Sequence, residues 1–164
     1  MFSKEIQDLA TRLLLECRAK DWTVSTAESC TGGLIAGALT EIAGSSNVVD
    51  RGFITYSNEA KNELIGVNSD TIKKHGAVSP EVAEQMAMGA VKEAKTNLAI
   101  AVTGVAGPGA SENKPAGLVY IGIAADNLDK PVVTKVNFEG NRSEVRSSTV
   151  RTALFLALSV TQKD

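Results

Sequence analysis

A β-branched run leading straight into a glycine-opened helix constrains this chain more than any other feature. Thr23-Val24-Ser25-Thr26-Ala27 reads as a strand, and after Glu28-Ser29-Cys30-Thr31 the pair Gly32-Gly33 opens a helical spacing through Leu34, Ile35, Ala38, Leu39 and Ile42. Ahead of it, Phe2, Ile6, Leu9, Leu13, Leu14 and Cys17 predict an amphipathic helix over residues 4–20, capped by Ser3. Gly44-Ser45-Ser46-Asn47 breaks the second helix. A strand over 48–56 and a short helix carrying Ala60, Lys61, Leu64 and Ile65 come next. Ser79-Pro80-Glu81 combines a good N-cap, a proline at the first helical position and an early acid, and Val82, Met86, Ala90, Val91 and Ala94 supply the buried face of the helix it starts.

Leu98 to Val102 is a short apolar strand that runs into a glycine-rich loop, Thr103 to Gly109, continuing through Pro115-Ala116-Gly117. Strands over 118–124 and 131–138 follow, and the last helix runs from near Asn141 to about Gln162, with Glu144 placed for a capping box. Helices and strands alternate at first and two strands adjoin near the end. This order predicts an α/β fold: a single three-layer α/β/α domain around a mixed sheet, spanning residues 1–164. The strand order does not follow from the pattern.

With 164 residues, 43% of them hydrophobic, the chain can bury a core without disulfides or metal. Seventeen basic against 19 acidic residues leave a net charge of -2, with no global field to draw a nucleic-acid backbone. The amino terminus lacks a cationic stretch before an apolar run, and no window approaches a membrane span, so a soluble cytoplasmic protein is expected. A homo-oligomer is compatible with so small a chain. Two cysteines and one histidine cannot build a closed zinc site, and neither metal nor cofactor is expected. The single His75 also narrows the chemistry, since any Ser-His-Asp triad would have to use it. Otherwise acid/base work falls to Lys, Tyr, Asp or Glu.

Ser29 falls at the strand-to-helix junction, where α/β proteins place reactive groups beside free helix amides. Amides around Thr31 to Gly33 could hold an oxyanion, but serine is equally a favoured helix cap, and the local sequence leaves both readings open. Tyr56 at a strand end and Lys61 in the next helix could face one cleft. As a general base Lys61 must be neutral, so burial or a nearby cation must lower its pKa from about 10.4; a solvated surface lysine is the plainer reading. In Thr103 to Gly109, the glycines at 104 and 109 have the Walker A separation, but Ala110-Ser111 replaces its Lys-Ser/Thr pair. What remains is a nest of amides for a phosphate or polar head, or a surface loop. Arg142 could extend a planar fork to a phosphate beside the last helix's amides. His75 lies in a polar turn signal, and Cys30 reads as a small apolar packer before it reads as a nucleophile.

Taken together, four segments resemble the CinA C-terminal domain family over nearly the whole chain: Ala27 to Gly33, Gly52 to Lys61, His75 to Ser79 and Thr103 to Gly109. The family's free-standing members are nicotinamide-nucleotide amidases, and the chain looks like that stand-alone form, which would lack the separate nucleotide-hydrolysing domain of full-length relatives. The resemblance implies a metal-free Ser/Lys hydrolase that converts nicotinamide mononucleotide to nicotinate mononucleotide and ammonia. It carries the nucleophile to Ser29, the lysine to Lys61 and the tyrosine to Tyr56. The segments carrying Glu28, Thr31, Gly32, Gly33, Thr103 and Gly104 become pocket segments, and Arg142 becomes a substrate contact within Gly140-Asn141-Arg142, where Asn141 replaces the motif's aspartate.

Overall fold

The computed structural model describes residues 1–163. In chain order the elements are α1 (Lys4–Ala19), β1 (Val24–Glu28), α2 (Leu34–Thr40), a 3-10 turn (Ser45–Asn47), β2 (Val49–Ile54), α3 (Asn58–Ile65), α4 (Ser69–His75), α5 (Pro80–Ala94), β3 (Leu98–Gly104), β4 (Leu118–Ala125), β5 (Val132–Asn137) and α6 (Arg142–Thr161). The strands form one five-stranded sheet in the order β2-β1-β3-β4-β5. β1 pairs in parallel with both β2 and β3, whereas β4 runs antiparallel to β3 and β5 antiparallel to β4. The mixed sheet between helical layers agrees with the pattern read from the sequence.

The two faces of the sheet differ in side-chain size. Leu98, Ile100 and Val102 of β3 join one large cluster with Leu13, Ile35 and Leu154 from α1, α2 and α6. The alternate positions Ala99 and Ala101 face the other way and pack against Val82, Met86, Ala87 and Ala90 of α5. Small residues let α5 approach the sheet closely. A Cβ on Gly122 would lie 2.5 Å from the carbonyl oxygen of Ala83, inside any real contact distance. All of β1 and nearly all of β3 are buried, as expected for strands covered on both faces.

The helix α4 departs from the sequence reading, which sees only a polar turn around His75. Asn68 caps it by accepting from the amides of Asp70 and Thr71, and Lys73, Lys74 and His75 sit in its last turn, where cations are favoured. Only Ile72 of its seven residues is buried, so no apolar periodicity marks it in the sequence. His75 closes that helix with Nδ1 3.4 Å from Glu81.

From β1 the chain leaves for β2 on one side, and from β3 it leaves for β4 on the other. The two central strands therefore diverge at their carboxyl ends, the place where open α/β sheets form a crevice. Ser29 follows β1 and the glycine-rich loop follows β3, so the crevice lies between them.

Candidate active site

Ser29 continues the parallel ladder one residue past β1, donating its amide to Val102 at 3.1 Å, and then the chain turns away from the sheet. The turn is held from within by Glu28. Its carboxylate is fully buried and accepts four hydrogen bonds: from the Thr31 hydroxyl at 2.6 Å, from the amides of Gly33 and Ile35 at 3.1 and 3.0 Å, and from the amide of Ala36 at 2.8 Å. Glu28 is thus the cap of α2, and anionic caps suit a helix N-terminus. The hydroxyl of Ser29 is not needed for that role. Replacing Glu28 by Gln puts an NH2 group against amide donors and should lower the free energy of urea unfolding by about 2–4 kcal/mol.

This arrangement gives these residues a structural role that the sequence does not signal. The Glu28 carboxylate, the Thr31 hydroxyl and the Gly33 amide are bonded to one another in the cap, and these residues do not line the cavity beside Ser29 and Lys61. The amide of Gly32 is likewise taken, by the carbonyl of Ser29 at 3.1 Å. Among the described residues the amides of Cys30 and Thr31 have no backbone acceptor, which leaves the free donors at the start of the turn.

Lys61 projects from α3 and is only 1% exposed. Its Nζ lies 3.2 Å from Ser29 Oγ, 2.8 Å from the carbonyl oxygen of Thr55 and 3.5 Å from that of Tyr56. It makes no ion pair among the described residues. Burial lowers its pKa, outweighing the opposing pull of Cys30 and Glu112. A neutral amine has two N–H donors and one lone pair. The carbonyls can only accept, so in the neutral form the lone pair is left for the Ser29 hydroxyl. Cys30 is buried beside them, and burial pushes its thiol pKa up to about 12, so it stays protonated and is a poor nucleophile.

A cavity of about 280 Å³ opens over this pair, walled by Tyr56, Thr103, Gly107, Glu112 and Arg142. Tyr56 is 60% exposed, and its hydroxyl accepts from Arg142 Nη2 at 3.1 Å, so the group near Lys61 is its carbonyl and not its phenol. Lys61 Nζ reaches Ser29 Oγ directly, while the Tyr56 phenol is bonded to Arg142. Arg142 also donates to the carbonyl of Gly107 at 2.7 Å, joining the glycine-rich loop to the rim. It occupies the first position of α6, whose Asn141 and Glu144 form the expected capping box despite the Asp-to-Asn departure. The amides of Ser143 and Glu144 are spent on that box, so an anion there would meet the guanidinium rather than free helix amides. Thr103 donates its hydroxyl to Ala77 at 2.8 Å, and a Cβ on Gly104 would lie 2.8 Å from the carbonyl oxygen of Leu118. Both line the cavity through a wall that packs tightly behind them.

Three site residues escape the sequence reading. Glu112 accepts from the amides of Ala77 and Val78 at 3.2 and 3.3 Å, and Lys114 donates to the carbonyls of His75 and Val78, tying the glycine-rich loop to the start of α5. No local signal marks contacts across more than 30 residues. Arg146 reaches back from α6 to the carbonyls of Cys30 and Thr31, and its only sequence signal is its position one turn after Arg142. Among the described residues no three His, Cys, Asp or Glu side chains gather to hold a metal ion. No helix there is long and apolar enough to cross a membrane.

Residues 6–161 match the CinA C-terminal domain. The chain belongs to that family. It is 46% identical over 147 residues to a nicotinamide-nucleotide amidohydrolase PncC of Enterobacter agglomerans, covering 89% of each chain. Against the protein of that name from Escherichia coli K12 it is 43% identical over 155 residues, covering 94% of this chain and 93% of the relative. A Caldicellulosiruptor saccharolyticus protein named for competence and damage induction is 47% identical over 153 residues, yet the match spans only 36% of that longer protein. Among solved structures, the competence/damage inducible protein CihA from Agrobacterium tumefaciens superimposes with a TM-score of 0.94 at 49% identity, covering 99% of both chains. Membership in the CinA family thus extends over the whole fold, including every segment around the cavity.

Proposed function

We propose that this CinA-domain protein is a nicotinamide-nucleotide amidohydrolase that converts nicotinamide mononucleotide and water to nicotinate mononucleotide and ammonia, serving pyridine-nucleotide salvage in the cytoplasm. The observation that carries this reading is the buried Lys61 amine, whose two carbonyl acceptors leave its lone pair for the Ser29 hydroxyl at 3.2 Å. A binding module gains nothing from a buried lysine without an ion pair, whereas a Ser/Lys hydrolase depends on one. The names of the PncC relatives support the substrate class.

Neutral Lys61 takes the Ser29 proton as Oγ attacks the carboxamide carbon. The oxyanion that forms is met by the amides of Cys30 and Thr31, and such donors are each worth on the order of 3 kcal/mol in the transition state. Protonated Lys61 then gives its proton to the departing nitrogen, and ammonia leaves an acyl ester on Ser29. Water attacks that ester with Lys61 again as base, releasing the carboxylate and restoring the serine. The pyridinium charge of the substrate favours the neutral amine, and the phosphate meets Arg142 at the rim. The test is direct. Purified protein treated with chelator should release ammonia and nicotinate mononucleotide in equal amounts from nicotinamide mononucleotide, and absence of ammonia would overturn the assignment.

A further inference from the structure

Arg146 stands one helical turn below Arg142 but does not enter the cavity. Its half-buried guanidinium turns instead to the back of the nucleophile turn, where Nε donates to the carbonyl of Cys30 at 3.2 Å and Nη2 to that of Thr31 at 3.1 Å. The carbonyl of Cys30 and the amide of Thr31 belong to one peptide unit. A cation bonded to the oxygen end of that unit draws electron density from its nitrogen end and strengthens the N–H as a donor. The same two bonds fix the orientation of the unit, and α6 supplies a rigid base for them through its buried residues Val145, Thr149 and Val150.

We propose that Arg146 is a positioning residue for catalysis, which polarises and aims the Thr31 amide at the oxyanion formed on Ser29 attack. This rests on the amidohydrolase reading above. Three features separate the role from simple packing. Arg146 makes no ion pair among the described residues, so its charge is not spent on a carboxylate. Its donors go to the one turn that carries both the nucleophile and the uncommitted amides. The turn already has a structural anchor in Glu28, four hydrogen bonds strong, so its fold does not depend on the arginine.

Steady-state kinetics of Arg146→Met and Arg146→Lys on nicotinamide mononucleotide test the proposal, together with thermal melting of each variant. Arg146→Met should lose about 100-fold in kcat with KM changed less than about threefold, as expected for a group acting only in the transition state. Arg146→Lys keeps the charge but reaches one carbonyl, so its kcat should fall between the two. If Arg146→Met fails to fold, Arg146→Lys decides by the same split between kcat and KM. A kcat within threefold of wild type in the folded variants, or a loss residing in KM, would overturn the role while leaving the amidohydrolase standing. A wild type that releases no ammonia would overturn both.

Discussion

Ser29→Ala is expected to lower kcat for ammonia release from nicotinamide mononucleotide by at least about 10³-fold, since a missing nucleophile leaves only binding and oxyanion stabilisation to act. The fold should survive this change. The hydroxyl caps no helix, because Glu28 does, and among the described residues the one polar partner it loses is Lys61. Melting temperature and KM should therefore stay near the wild-type values, while acyl-enzyme disappears from rapid-quench mass spectra. Full activity in Ser29→Ala would remove serine from the mechanism, and the neighbouring thiol of Cys30, with its pKa raised to about 12, would be a poor substitute.

Lys61 carries the second large effect. Lys61→Met removes the base outright, and Lys61→Arg replaces it with a guanidinium that stays protonated near neutral pH; both should fall by on the order of 10³-fold or more in kcat. In wild type, kcat/KM should rise with pH as the amine loses its proton and then level, with the midpoint below the ordinary lysine value of 10.5 because burial lowers the pKa. Stability should move with the same group. A lysine whose folded pKa is lowered binds fewer protons folded than unfolded, so stability rises with pH between the folded value and the unfolded one. Below that window the buried cation is a full penalty. Lys61→Met should therefore be more stable than wild type at neutral pH or below, and this advantage should shrink as pH approaches 10.5. A flat pH profile, or a Lys61→Met protein that is active, would defeat the Ser/Lys mechanism.

The fold was largely legible because its signals are local. The apolar spacing of α1, the Ser79-Pro80 start of α5 and the Asn141/Glu144 box of α6 each lie within one helix, and the structure places all three within a residue or two of expectation. α4 was not legible, since a helix with one buried residue leaves no periodic trace. At the site, the sequence led to Ser29 but could not separate a nucleophile from a cap. The true cap is the residue before it, whose carboxylate folds forward to amides five to eight positions along. Tyr56 shows a related blind spot. Sequence reading attends to its phenol, whereas the group beside Lys61 is its backbone carbonyl and the phenol is bonded to Arg142. Glu112, Lys114 and Arg146 act over separations of more than 30 residues that only the folded sheet brings together.

Much of the cavity wall comes from parts of the chain other than those carrying Ser29 and Lys61, although Tyr56 of the wall lies just before α3. Ser29 and Lys61 are carried by the β1 turn and α3, while Thr103 to Glu112 and Arg142 belong to the β3–β4 connection and the first turn of α6. The two sets meet across the crevice, and the turn bearing the serine is anchored from beneath by Glu28. A protein engineer could therefore exchange the glycine-rich connection, or swap Arg142 for an apolar side chain, and search for amides with other head groups while the Ser29–Lys61 contact stays in place. On the proposed mechanism, the segments that would choose the substrate lie largely apart from the Ser29–Lys61 pair, and that makes this small domain a practical starting point for new amidases.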